Sequence, residues 1–94
     1  MNIFKNKANI YKINCYLDKT NMVRELAEKY AIAGSIVEVR AHGSLLNDNV
    51  RVTVSFKSRE SEPGIYKAFL EAFKNYHIKI NKKTISIYKE IGFN

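Results

Sequence analysis

Residues 36–59 read IVEVRAHGSLLNDNVRVTVSFKSR, and this stretch decides the fold. Apolar and polar residues alternate on both sides of Asn47-Asp48, which is typical of a β-hairpin with one buried face. A two-residue turn at that position predicts the following pairs. The apolar pairs are Leu45 with Val50, Gly43 with Val52, Ala41 with Val54 and Val39 with Phe56; the pairs between them, mostly polar, are Leu46 with Asn49, Ser44 with Arg51, His42 with Thr53, Arg40 with Ser55 and Glu38 with Lys57. We therefore expect one face in the core and the other in water, in a register that a one-residue slip would destroy.

The length and composition of the chain predict one domain. Its 94 residues fall near the lower end of domain size, so we expect a single domain over residues 1–94 with a basic lead at residues 1–8. A hydrophobic fraction of 46% can fill one core without disulfides. The single Cys15, the lack of a signal peptide and the lack of ~20 consecutive apolar residues predict a cytoplasmic protein without a membrane partner.

The charge balance indicates the kind of partner. Sixteen Lys and Arg against nine Asp and Glu give a net charge of +7, and the basic residues are spread along the chain. A folded surface with this charge attracts polyanions and acidic proteins. We therefore expect the partner to be nucleic acid, or a protein that is acidic or handles nucleic acid.

The first segments outside the hairpin are a strand and a helix. Alternation over residues 10–17 predicts a strand, with Cys15 on its buried side as a small hydrophobe rather than a nucleophile. Apolar residues then recur at helical spacing over residues 22–31. Asp18 is among the residues that can cap this helix, and Gly34 ends it.

The second half of the chain predicts another helix and one or two strands. Ser61 can cap the second helix, Pro63 falls in its first turn, and His77 closes it. In the last segment Ile80 can face Ile85 and Ile78 can face Ile87, which predicts a short strand folded against the final strand. An irregular loop before that final strand is the alternative.

The order strand, helix, strand, strand, helix, strand predicts the ferredoxin-like split βαβ fold of the α+β class. Its antiparallel sheet has two helices on one face, the first and third strands in the middle, and the second and last strands at the edges. Strand alternation assigns to the open face Lys12, Asn14, Tyr16, Glu38, Arg40, His42, Arg51, Thr53, Ser55, Lys57, Thr84, Ser86 and Tyr88.

No motif in the chain predicts catalysis or a cofactor. One Cys and two distant His are too few for a structural zinc site, and no nucleophile and base stand in a recognisable pattern. We expect a non-catalytic protein with no metal and no cofactor, which binds its partner through the basic sheet face. The candidate binding residues are Lys12, Tyr16, Arg40, His42, Arg51, Lys57, Tyr88, Lys82 and Lys83.

Three other functions are weighed against this one. RNA-recognition motifs share the topology and stack bases on their central strands, but alternation buries Phe56, which leaves Tyr16 and Tyr88 for stacking. An inhibitor of the anti-CRISPR or anti-restriction type, from a phage or mobile element, would instead occlude a protein partner. Its contact surface, or that of a homodimer, could be the edge of the second strand, residues 35–46. A metal-dependent nuclease of the Cas2 type would use Asp18 after the first strand to hold a metal ion, but a cap of the first helix also explains this single carboxylate.

Overall fold

A computed structural model describes residues 9–43 and 50–92 of the chain. Two helices and five strands make up these residues. They are β1 (Ile10–Tyr16), α1 (Thr20–Tyr30), β2 (Glu38–His42), β3 (Arg51–Lys57), α2 (Glu62–Ala72), β4 (Tyr76–Asn81) and β5 (Thr84–Glu90), with a 3-10 turn at Leu17–Lys19. The fold is therefore α+β, and no helix of the described residues combines the length and apolar character needed to cross a membrane.

The five strands form one mixed sheet in the order β2-β3-β1-β5-β4. β1 is central, with β3 antiparallel on one side and β5 parallel on the other. The prediction of an antiparallel sheet is wrong at β1–β5, because β4 takes the outer position and the turn at Lys82-Lys83 brings β5 back between β4 and β1. The edges are consequently β2 and β4, instead of β2 and the last strand.

The core lies on one face of this sheet, where alternate residues of the three inner strands meet both helices. In β4, Ile78 and Ile80 face Ile87 and Ile85, which confirms the predicted pairs. The Phe56 ring connects sheet and helix, with ring centroids 5.8 Å from Tyr11 and 6.4 Å from Phe69. The buried apolar residues are Tyr11, Ile13, Cys15, Val23, Ala27, Val52, Val54, Phe56, Ile65, Phe69, Phe73, Ile85 and Ile87.

The register of the β2–β3 pair differs from the prediction by two residues. Val39 lies opposite Val54, and Ala41 opposite Val52. A shift of two leaves every side chain on its predicted face, because strand side chains alternate with a period of two. Glu38 lies opposite Ser55 rather than Lys57, and its carboxylate instead contacts Arg40 at 3.4 Å. The predicted turn at Asn47-Asp48, and the pairs that involve residues 44–49, lie outside the described residues.

β2 is exposed on both faces, which contradicts the prediction that Val39 and Ala41 belong to the core. Val39 is 44% exposed, and all five residues of the strand are classed as exposed. The physical reason is the position of α1, which packs over β3 and β1 and leaves the edge strand uncovered. The hairpin thus contributes to the core only through β3.

The first helix ends before Gly34, the residue predicted to terminate it. It ends at Tyr30 rather than near Gly34, because the Ile32 N–H donates to the Lys57 carbonyl at 2.8 Å and Ala31 bridges to Ser58. Gly34 lies in the following turn with a φ of +83°. Asp18 forms no cap: it lies in the 3-10 turn, and the N-cap position is Lys19 without a side-chain hydrogen bond.

The second helix begins as predicted and ends early. Ser61 occupies the N-cap position, although its hydroxyl makes no cap hydrogen bond, and Pro63 lies in the first turn. The helix ends at Ala72, so the prediction that His77 closes it is wrong. His77 is part of β4, because its neighbours Tyr76 and Ile78 pair with Glu90 and Ile87 of β5 on either side of a register shift, and the Tyr76 ring packs edge-on against Phe73 at 5.5 Å.

Substitution of neighbouring residues on β3 tests the two faces. Val54 is fully buried, so Val54→Lys places a charge in the core and should remove several kcal/mol from the free energy of unfolding. Ser55→Lys puts the same side chain on the open face and should change it by less than about 1 kcal/mol. Urea titrations of both variants measure the difference, and equal midpoints would refute the assignment of faces.

The thiol of Cys15 gives an independent test of β1. Cys15 is fully buried, and burial raises the pKa of its thiol, with a smaller opposing effect from the Thr20 hydroxyl. Because the thiolate is the reactive form, we expect slow labelling by a thiol reagent in the native protein and fast labelling in denaturant. Rapid labelling of the native protein would show that β1 does not occupy the centre of the sheet.

Candidate binding site on the open face of the sheet

The face of the sheet opposite the helices carries the residues that strand alternation assigned to it. Asn14 lies opposite Thr53 on one side and Ser86 on the other, so three polar residues stand side by side across β3, β1 and β5. β4 adds Lys79 and Asn81, which lie opposite Ser86 and Thr84. No helix or strand within residues 9–43 and 50–92 covers this face.

A shallow depression of about 330 Å³ lies at one end of the open face. Four strands contribute to it, since β1 and β3 form its floor while β2 and β5 lie at its sides. Its lining residues are Asn14, Tyr16, His42, Arg51, Thr53, Ser86 and Tyr88. Four of the predicted site residues, one from each strand, are therefore brought together here.

Arg51 is held in this depression by three contacts. Its guanidinium carbon lies 4.4 Å from the ring centroid of Tyr16 and 5.0 Å from that of Tyr88. Its Nη1 donates to the carbonyl oxygen of Ile87 at 3.2 Å. The paired residues of β1 and β5 end at Asn14 and Ser86, so the guanidinium supplies a hydrogen bond to β5 where the ladder stops. The charged group is thus fixed in place before any ligand binds.

A row of hydrogen bonds crosses the same depression. The Thr53 hydroxyl donates to Asn14 Oδ1 at 2.7 Å, and Asn14 Nδ2 donates to Ser86 Oγ at 3.2 Å. His42 Nε2 lies 2.9 Å from the Thr53 hydroxyl oxygen. Because the one hydrogen of that hydroxyl is used by Asn14, His42 Nε2 must carry a hydrogen and donate it. All three bonds therefore point in one direction, from β2 to β5.

The other predicted site residues lie outside the depression. Arg40 contacts Glu38 on the exposed edge strand. Lys12 pairs with Ser55 and Lys57 with Ile10, which places them toward the opposite end of the sheet, about 13 Å and about 20 Å from the level of Tyr16 at ~3.3 Å per residue. These lysines extend the positive charge of the open face beyond the depression.

Lys82 and Lys83 belong to a different cluster, which joins the β4–β5 turn to α2. Lys83 Nζ lies 3.5 Å from Glu62 Oε2, and 5.8 Å from the ring centroid of the core residue Tyr11. The Tyr66 hydroxyl contacts both the Glu62 carboxylate and the Lys82 carbonyl oxygen. The two lysines thus stand apart from the depression, and Lys83 contacts residues on the helix side.

Sequence reasoning placed Asn14, Thr53 and Ser86 on the open face but missed them as site residues. The alternation could have indicated them, because it puts these polar residues of the three inner strands on this face. What the sequence lacked was the β1–β5 register, which decides that Ser86 rather than Thr84 lies beside Asn14.

Comparison of the chain with protein-family models, curated proteins and solved structures finds no match. Within the described residues, no group of three His, Cys, Asp or Glu side chains is placed to hold a metal ion. Asp18 lies in the 3-10 turn after β1, outside the set of residues that line the depression. The open face must therefore be interpreted from its own chemistry.

Titration of Tyr66 tests the contacts that join α2 to the turn at Lys82-Lys83. The hydrogen bond to Glu62 raises the pKa of Tyr66 to about 12, because a tyrosinate beside a carboxylate is unfavourable. Glu62→Gln removes that charge, so the Tyr66 pKa should fall toward the ordinary value near 10. An ultraviolet difference titration of the two proteins measures it, with Glu71→Gln on the same helix as a control. A titration curve unchanged by Glu62→Gln would contradict the contact.

Proposed function

We propose that the protein is a non-catalytic binding protein that holds nucleic acid on the open face of its sheet, mainly through the phosphate backbone. The observation that carries the proposal is the Arg51 guanidinium, fixed between Tyr16 and Tyr88 on an otherwise polar, uncovered face. An arginine held in one orientation loses little conformational entropy when it binds an anion. Contacts to phosphate are also the main source of affinity in protein complexes with nucleic acid.

The rest of the open face supports the same partner. Lys79 lies on it beside Ser86 at the side of the depression, and Lys12 and Lys57 lie farther along the sheet, while the acidic Glu38 is already in contact with Arg40. A chain of phosphates that enters the depression can therefore continue along a positive surface in either direction. Each phosphate that is neutralised releases counterions, which makes the binding dependent on salt.

The fold fits this use of the sheet. We propose that it is a variant of the ferredoxin-like arrangement, in which β3 lies between β1 and β2 as in a split βαβ unit and the second half ends in the β4–β5 hairpin. In such folds the helices cover one face and leave the other free for ligands. Here the added hairpin widens the open face by one strand, which brings Lys79 beside Ser86.

A protein partner is the second candidate, and the exposed β2 favours it. The outer edge of β2 is unpaired within the described residues; Ile36 before the strand is 81% exposed and Val39 within it is 44% exposed. Such an edge can add a strand from another protein or from a second copy of the chain. An inhibitor of a nucleic-acid-handling enzyme, of the anti-CRISPR or anti-restriction type, could act in this way.

Salt-dependent binding of a labelled single-stranded oligonucleotide tests the first candidate. For Arg51→Gln we expect the binding free energy of the oligonucleotide to weaken by about 1.5–3 kcal/mol, because a charge-assisted hydrogen bond to phosphate disappears. The slope of log affinity against log salt should also fall by about 0.7. Fluorescence anisotropy at several salt concentrations gives both quantities.

Lys67→Gln is the matched control, since it removes one positive charge from the exposed side of α2. Far-ultraviolet circular dichroism must show that Arg51→Gln remains folded, because Arg51 also bonds to Ile87. Equal effects of the two variants would refute a site on the open face. Recovery of one stoichiometric partner from nuclease-treated host extract, without oligonucleotide binding, would establish the protein partner instead.

A further inference from the structure

The direction of the hydrogen-bond row decides which hydrogen atoms the depression can offer. His42 donates to Thr53, Thr53 to Asn14, and Asn14 to Ser86. Ser86 is the last acceptor, so its own hydroxyl hydrogen has no partner in the row. Among the described residues no acceptor takes it, and it remains available to a ligand in the depression.

Arg51 adds further donors beside that hydroxyl. A guanidinium has five N–H groups and no acceptor, and Nη1 uses one of them for the Ile87 carbonyl oxygen. The remaining N–H groups have no partner within residues 9–43 and 50–92. With the free hydrogen of Ser86 and the second amide hydrogen of Asn14, they make the depression rich in donors.

The acceptor oxygens of the row each take one hydrogen bond already, and none of the described residues that line the depression is a carboxylate. Asn14 Oδ1 already accepts from Thr53, and the Thr53 hydroxyl oxygen already accepts from His42. Reading of adenine or cytosine requires an acceptor for an exocyclic amino hydrogen, whereas the O6 and N7 atoms of guanine, like phosphate oxygens, accept from a guanidinium. The Arg51 guanidinium also occupies the space between Tyr16 and Tyr88 that a base stacked between the two rings would need.

We infer that the depression holds a phosphate group and does not read a base, with Arg51 and the Ser86 hydroxyl as its donors. This inference rests on the proposed function, and it specifies which part of the nucleic acid occupies the site. A phosphate offers only acceptor oxygens, which matches a donor-rich depression, and its charge matches the guanidinium. Binding at this site is therefore independent of base sequence. His42 and Thr53 act as positioning residues, because they fix Asn14 and so the direction in which the Ser86 hydrogen points.

An abasic oligonucleotide separates this inference from the proposed function. We expect an abasic strand and a base-bearing strand of equal length to bind the wild-type protein within about threefold of each other. Binding of the base-bearing strand alone would overturn the inference and leave the proposed function standing. If neither strand binds, the proposed function is wrong, and nucleic acid is not the source of the phosphate.

Mononucleotide titrations identify the source of the phosphate. Adenosine 5′-monophosphate should shift the amide NMR signals of Asn14 and Ser86, whereas adenosine at the same concentration should not. Shifts by the nucleotide in a protein that binds neither strand would assign the site to a free nucleotide or similar phosphate. Equal shifts by adenosine would overturn the assignment to phosphate.

Ser86→Ala tests the hydroxyl directly, and Thr84→Ala is its control on the same strand and face. Loss of one hydrogen bond to a charged group should weaken binding of the abasic strand roughly tenfold. Thr84→Ala should change it less than twofold, because Thr84 does not line the depression. Asn14→Asp keeps the shape but accepts the Ser86 hydrogen and adds a negative charge, so it should weaken binding more than Ser86→Ala. Equal binding by all three variants would refute the role of the row.

Discussion

The position of β1 at the centre of the sheet is the constraint on which the rest of the structure depends. It is paired along both edges, with β3 on one side and β5 on the other, so its residues must suit two opposite environments. Tyr11, Ile13 and Cys15 face the helices, whereas Asn14 and Tyr16 face the open side. Core and candidate site are therefore built from alternate residues of one strand, and neither can change register without the other.

Arg51 belongs both to the candidate site and to the contacts that stabilise the sheet. It follows the connection from β2 and lies directly opposite Tyr16, where β1 turns into the 3-10 turn. Its bond to the Ile87 carbonyl supports the end of β5, and the same contact fixes the charged group on the open face. A surface arginine without such contacts would lose more side-chain entropy on binding an anion.

Alternation predicted which residues face the core and which face water, since that property survives an error of two residues in register. The same insensitivity explains why the β2–β3 pairing was wrong: Val39 opposite Val54 is as apolar as Val39 opposite Phe56. The end of α2 was misplaced because the residues from Phe73 to Tyr76 fit a helical stripe, although Tyr76, Ile78 and Ile80 also alternate as a strand. The members of the open face on β1, β2, β3 and β5 followed from the sequence, whereas Lys79 and Asn81 of β4 did not. The contacts across this face did not follow either, because the neighbour of β1 is set by a crossover far along the chain.

The exposure of β2 divides the depression into parts of unequal local stability. Amide hydrogen exchange of a strand paired on one edge, with no covered face, follows a local opening that costs less than global unfolding. His42 lies on that strand, whereas Arg51, Asn14 and Ser86 lie on the three strands that bury core residues. A ligand that requires the His42 bond therefore shifts a local equilibrium, and occupancy of the depression should slow exchange in β2 more than in β1.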